Sequence, residues 1–211
     1  ENSVMTDSKG VITVDRTDLN DMKREFATTR TELHTLADAM READVLVGLS
    51  KGGMVSQEMV RSMAARPIIF ALANPTPEIS YEEAKAANPE VLMSTGRTDY
   101  PNQINNVLAF PYIFRGALDT HATAINGAME LAATRAIAAL AKQPVPDYVN
   151  EAYGTTGLAF GPDYFIPKPV DRRLIVEVST AVARAAIESG VARHTLTDWD
   201  AYAEHLTSLL V

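Results

Sequence analysis

The chain of 211 residues is long enough for one ordinary domain. It carries 27 acidic against 19 basic residues, a formal charge of −8 and a pI near 5.0, which argues against a nucleic-acid binder or an anionic-membrane binder. Cysteine is absent, which excludes disulfides and a thiol nucleophile, and no apolar run approaches the ~20 residues that span a bilayer. This composition is typical of a globular, cytoplasmic protein.

Extended and helical patterns alternate through the first half of the chain. An extended piece at 4–6 runs into a polar turn at 7–10. Short apolar runs predict buried strands, at 45–49, 68–73 and 91–94. Helical patterns lie between them, and one begins at a capping box formed by Ser80 and Glu83. The alternation predicts βαβ units in an α/β fold, a Rossmann-like parallel sheet with helices on both faces.

The second half is mainly helical. Helical spacing predicts long helices, at 120–142, 171–189 and 197–210. We therefore expect a partial Rossmann-like domain at 1–143 and a C-terminal helical extension at 144–211 that packs on the same unit. No G-x-G-x-x-G motif occurs, and this turn should precede Asp7. Together with the start at Glu1 without a methionine, this favours a chain whose first strand and glycine turn are missing.

Polar residues follow each predicted strand, where ligands of open parallel sheets bind. These positions are Asp7, 50–53, Asn74 and 96–99. Asp7 occupies the place of the acid that accepts hydrogen bonds from the adenosine ribose in dinucleotide folds, although a plain turn aspartate is the alternative. The loop 50–53 lacks the spacing of a phosphate-binding loop, which excludes a nucleoside triphosphatase.

Side-chain amides supply the remaining candidates. Asn74 is presented between a strand end and Pro75, and its amide offers both a donor and an acceptor to a carboxamide or a carboxylate. Asn105 and Asn106 close a run of four amides in the five residues 102–106. The alternative for each is an ordinary turn or loop asparagine. The histidines show no spacing typical of a metal site.

Several segments of the sequence resemble bacterial malic enzymes. The most specific are FALANPTPE at 70–78 and TGRTDYPNQINN at 95–106, and the likeness continues at 6–10, 110–118 and 160–169. The resemblance implies oxidative decarboxylation of L-malate to pyruvate and CO₂ with reduction of NADP or NAD. It also implies Mg²⁺ or Mn²⁺ as a Lewis acid.

The resemblance assigns binding residues but no catalytic ones. The lysine base, the tyrosine acid and the metal ligands of the family match nothing in the chain, so a malic domain ahead of Glu1 is implied and no metal ligand is assigned here. Asn74, Asn105 and Asn106 match family amides beside malate and nicotinamide, and Asp7 matches the acid after the second strand. Which of Asn105 and Asn106 contacts the ligand stays open.

The cofactor is expected to be NADP, with NAD as the alternative. Lys23 lies three residues before Phe26, where NADP-using members often carry a lysine that can meet the 2′-phosphate. A solvated lysine is the alternative, and Asp7 would repel the phosphate and favour NAD. The resemblance further implies a homo-oligomer and, from the C-terminal segment, the form fused to a phosphotransacetylase-like domain.

We expect the isolated chain to be inactive. The competing interpretation is a non-catalytic nucleotide-binding or oligomerisation fragment, and a weaker one is a regulatory domain that binds CoA or a nucleotide. No nucleic-acid partner and no membrane partner is expected.

Overall fold

The computed structural model describes residues 2–210. The chain divides into two compact units, Glu1–Met93 and Ser94–Val211. The division falls within a strand, whereas the predicted domain boundary after residue 143 stays a prediction.

The first unit is built around a parallel sheet of three strands in the order β3–β4–β5. The strands are β3 (Val45–Gly48), β4 (Ile68–Ala71) and β5 (Leu92–Thr95). The helices of this unit are α1 (Asp21–Glu25), α2 (Leu36–Met40), α3 (Gln57–Ser62) and α4 (Tyr81–Ala87). Helix α4 begins at the predicted capping box, since Ser80 and Glu83 each bond the other's backbone N–H. The α/β prediction is confirmed.

The core of the first unit lies on one face of this sheet. Ile69, Ala71 and Met93 from the strands pack with Val60 of α3 and Ala84 of α4, and all are almost fully buried. Burying each of the larger side chains contributes about 1.5–3 kcal/mol. Because side chains alternate along a strand, Val45 and Val47 point away from this core, and they are 47% and 56% exposed.

Asp7 does not follow a strand of the parallel sheet. Strands β1 (Thr6–Asp7) and β2 (Gly10–Val11) form a separate antiparallel pair, in which Thr6 lies opposite Val11. The predicted polar turn is confirmed, and the Asp7 carboxylate accepts a hydrogen bond from the Lys9 N–H at 2.9 Å. Because the chain reverses at this turn, Asp7 lies in a hairpin, and its expected place at the edge of the parallel sheet is wrong.

The second unit is helical. A short 3-10 helix (Asn106–Leu108) precedes helices α5 (Phe110–Asp119), α6 (Gly127–Ala141), α7 (Asp147–Ala152), α8 (Arg173–Glu188) and α9 (Trp199–Ser208). Helix α8 packs against α5, α6 and α9 and buries Leu174, Val178 and Val182. The predicted C-terminal helices are confirmed with shorter bounds. Helix α6 begins seven residues later than predicted, because Asn126 caps it by accepting from the Met129 N–H at 3.1 Å.

Among the helices of residues 2–210, none is long and apolar enough to cross a bilayer.

Candidate functional site

An ion-pair cluster surrounds Asp7 in the first unit. Arg16 binds the Asp7 carboxylate through both terminal nitrogens, at 2.9 Å and 3.1 Å, and the Lys23 ammonium lies 2.6 Å from Asp7 Oδ2. Arg16 also bonds Asp18 at 3.0 Å, and Lys9 lies 2.6 Å from the same carboxylate. The structure therefore brings together two residues predicted from the sequence, Asp7 and Lys23, and adds Arg16 between them and Asp18.

The cluster carries an excess of positive charge. Hydrogen bonds from Arg16 and then Lys23 hold the pKa of the Asp7 carboxyl well below its usual range, so Asp7 stays ionised. Three cationic side chains and two carboxylates share the cluster, which leaves a net charge of +1. The Lys23 side chain is 41% exposed, so solvent reaches this side of the cluster. The arrangement can accept one further anionic group.

Arg16 was missed by sequence reasoning. The predicted turn is the signal that could have found Arg16. Because the chain reverses at 7–10, the residues that follow the turn run back alongside Asp7. The Arg16 side chain is only 16% exposed, and its planar guanidinium can form two parallel hydrogen bonds to a carboxylate.

Asn74 lies in the loop that follows β4. The residue is exposed, and its peptide bond to Pro75 is cis. The loop is anchored one residue earlier, where the Ala73 N–H donates to Glu78 Oε2 at 3.1 Å. The structure therefore places Asn74 beyond the carboxyl end of a parallel strand, as the sequence predicted, on a loop whose base is fixed.

Glu78 is a second residue that sequence reasoning missed. Its side chain is 2% exposed, and its other oxygen accepts from the Ser50 N–H at 3.0 Å. The signal in the sequence is an acidic residue between Pro77 and Ile79, both of which are buried. A carboxylate is expensive to bury without hydrogen bonds, so its burial indicates a specific role at the strand ends.

The loop 50–53 packs against the Asn74 loop. A Cβ on Gly52 would lie 2.6 Å from the Thr76 carbonyl oxygen, so the glycine permits a close backbone approach between the two loops. Backbone bonds join Gly53 to Pro77 and Val55 to Glu78, both at 3.0 Å. Gly52 thus serves the packing of one loop on the other.

Asn105 and Asn106 lie in the second unit, and both are exposed. The Asn105 side chain caps the 3-10 helix, because its oxygen accepts from the Val107 N–H at 3.0 Å. Its amide NH₂ remains as a donor. Among residues 2–210 no hydrogen bond of the Asn106 side chain is seen, so Asn106 offers both a donor and an acceptor.

The other two amides of the 102–106 run are structural. Asn102 is 1% exposed with a φ of +53°, and its side chain bonds Pro162 O at 2.7 Å and the Phe165 N–H at 2.8 Å. Gln103 is 3% exposed and donates to Gly96 O at 3.3 Å. The structure thus separates the run into a buried pair that holds the loop and an exposed pair that a ligand can reach.

Within residues 2–210, no group of three or more His, Asp or Glu side chains is arranged to hold a metal ion.

A parallel sheet with polar loops beyond its strand ends defines a nucleotide-binding α/β domain. Residues 1–151 match the family model described as malic enzyme, NAD binding domain. The chain belongs to the malic enzyme family and carries its NAD-binding domain.

Relatives with known names agree with this assignment. An NADP-dependent malic enzyme of Haemophilus influenzae is 53% identical over 100% of the chain, which covers 28% of that protein. An NADP-dependent malic enzyme of Halomonas elongata is 55% identical over 92% of the chain, which covers 46% of that protein. An NAD-dependent malic enzyme of Rhizobium meliloti is 48% identical over 98% of the chain and 27% of that protein.

A solved structure has the same fold. The crystal structure of Entamoeba histolytica malic enzyme superposes with a TM-score of 0.80 at 34% identity, over 98% of this chain and 42% of that one. The chain therefore spans less than half the length of the relatives it matches. Relatives named for both nicotinamide cofactors occur, so the family assignment alone establishes a nicotinamide cofactor.

Proposed function

We propose that the chain is the cofactor-binding part of a longer polypeptide, here called the full-length enzyme, that converts L-malate to pyruvate and CO₂ and reduces NADP. Membership of the malic enzyme family supports the reaction class. The observation that carries the choice of NADP is the cationic cluster of Arg16, Lys23 and Lys9 around Asp7 and Asp18.

The adenosine end of NADP is bound by this cluster. Asp7 accepts hydrogen bonds from the ribose hydroxyl that stays free, and Lys23 and Arg16 meet the 2′-phosphate. The repulsion expected between Asp7 and a phosphate is offset, since Asp7 is ion-paired to both cations. NAD, which lacks this phosphate, gains nothing from the excess charge and remains the weaker cofactor.

The nicotinamide and malate are bound by neutral amides. Asn74 in the first unit offers its amide beyond the end of β4, and Asn105 and Asn106 in the second unit are exposed. Asn106 makes the direct contact to the ligand, because its donor and acceptor are both available, whereas the oxygen of Asn105 is engaged by Val107. Amides orient a carboxamide or a carboxylate without adding charge.

The bound nicotinamide ring supplies the hydride acceptor of the reaction. The residues of this chain bind and orient the reactants, which lowers the barrier by holding them in a reactive geometry. In the proposal, Mg²⁺ or Mn²⁺ would be held by residues of the full-length enzyme outside this chain segment, and the base and the acid would lie there as well.

The test is an assay of the full-length enzyme. With malate, Mn²⁺ and NADP we expect NADPH absorbance to rise in step with pyruvate release, and we expect no turnover from the isolated 211 residues. Turnover by the isolated chain would contradict the proposal that the base, the acid and the metal ligands lie outside this chain. A full-length protein that binds NADP without oxidising malate would favour the non-catalytic alternative.

A further inference from the structure

A buried carboxylate links two loops at the carboxyl end of the parallel sheet. Each oxygen of Glu78 accepts one backbone N–H, from Ser50 at 3.0 Å and from Ala73 at 3.1 Å. The side chain is 2% exposed. A single side chain therefore accepts a backbone N–H from each of the two loops.

The bridge lies where two neighbouring strands end. Ser50 follows β3, which ends at Gly48, and Ala73 follows β4, which ends at Ala71. The next residue after Ala73 is Asn74. A single side chain therefore fixes the direction in which both loops leave the sheet, and one of the two points it holds is adjacent to Asn74.

Packing fixes the carboxylate itself. A Cβ on Gly48 would lie 2.4 Å from Glu78 Cδ and 2.7 Å from Oε1, distances that real atoms do not adopt. The carboxylate occupies the space that a side chain at position 48 would fill. Glu78 can therefore hold this geometry only because β3 ends in glycine.

We propose that Glu78 is a positioning residue for Asn74, acting through the Ala73 amide, and this proposal rests on the proposed function. Both oxygens of a carboxylate accept hydrogen bonds, and both are used here. A glutamine of the same size can accept only one of the two N–H groups and turns its own NH₂ towards the other. Position 78 thus requires a side chain with two acceptor oxygens, and a glutamine of the same volume does not meet this requirement.

The first test is Glu78→Gln in the full-length enzyme. We expect kcat/KM for malate to fall between about 10-fold and 100-fold, because misplacing a substrate-orienting group by about 1 Å has an effect of this size. The ratio of NADP to NAD preference should not change, since the cluster around Asp7 sets it. A control is Glu83→Gln, whose capping role a glutamine can fill and whose kinetics should match the unchanged enzyme.

The deciding test is a double-mutant cycle with Asn74→Ala. If Glu78 acts through Asn74, Glu78→Gln should cost less than about twofold in kcat/KM when Asn74 is already alanine. Additive losses, or a single variant as active as the unchanged enzyme, would overturn the proposal. If Glu78→Gln does not fold, the same cycle is run with Glu78→Asp, which keeps the charge. An unchanged enzyme without malate-dependent NADPH formation would instead refute the proposed function.

Discussion

The ammonium of Lys23 lies 2.6 Å from the carboxylate of Asp7. The sequence offers these two residues as opposing signals, because a carboxylate favours NAD at this place and a lysine favours NADP. Asp7 pairs with both Lys23 and Arg16, so its negative charge is balanced and the cluster keeps an excess of one positive charge.

The cluster predicts the effect of Lys23→Gln in the full-length enzyme. We expect KM for NADP to rise about tenfold, since a hydrogen bond to a charged group contributes about 1.5–3 kcal/mol and exposure weakens it, while KM for NAD changes little. Steady-state kinetics with both cofactors measure this. Lys142→Gln is the control, because Lys142 is exposed and lies outside this cluster. Equal changes with NADP and NAD would rule out a phosphate contact.

The lowered pKa of Asp7 predicts how the stability of the chain depends on pH. The folded pKa is depressed by Arg16 and Lys23, so the stabilisation is complete above the unfolded pKa of about 3.9 and is lost as pH falls towards the folded one. In urea unfolding between pH 7 and pH 2, Asp7→Asn should show a smaller loss of unfolding free energy below about pH 4. Asp15→Asn, which removes an exposed carboxylate outside this cluster, is the matched control. If the unfolding free energy of Asp7→Asn depended on pH as it does in the unchanged protein, the proposed contribution of Asp7 would be wrong.

The amide pair predicts different effects at neighbouring positions. Asn106→Ala should lower kcat/KM for malate in the full-length enzyme and leave thermal unfolding unchanged, because its side chain is exposed. Asn105→Ala should also destabilise the protein, by about 0.5–2 kcal/mol, because it removes the cap on Val107. Kinetics and unfolding of both variants give the comparison. Normal turnover by Asn106→Ala would leave Asn105 as the contact.

The buried Asn102 predicts a stability effect in the second unit. Asn102→Ala should lower the free energy of unfolding by about 3 kcal/mol, because two hydrogen bonds of about 1 kcal/mol each are lost and alanine is strained at this φ. Asn102→Gly removes the same bonds without the strain, and its loss should be about 1 kcal/mol smaller. Urea unfolding measures both. Identical losses would mean that the backbone conformation adds nothing.

Local signals in the sequence predicted much of the fold. The apolar runs became β3, β4 and β5, and Ser80 caps the helix that follows β4. These features depend on neighbours within a few residues, which is why they can be recognised without the structure. Asn74 was found for the same reason, since a polar residue beyond a buried strand marks the edge where ligands bind.

Tertiary structure decided what the candidate residues do. Asp7 was assigned by position along the chain, yet only the reversal of the chain at 7–10 brings Arg16 and Lys23 onto it. The run 102–106 reads as four equivalent amides, and only contacts with a loop some 60 residues further on separate the buried Asn102 from the exposed Asn106.

The sequence by itself determined the α/β class, the malic enzyme resemblance and the loops that carry polar groups. The structure alone determined the contacts of Glu78, because its neighbours Ser50 and Gly48 lie about thirty residues away and no local pattern links them. Hydrophobic period and capping are properties of short segments. The charge balance of a cluster and the burial of a carboxylate depend on contacts between segments that are distant in the sequence, and these contacts form only in the folded chain.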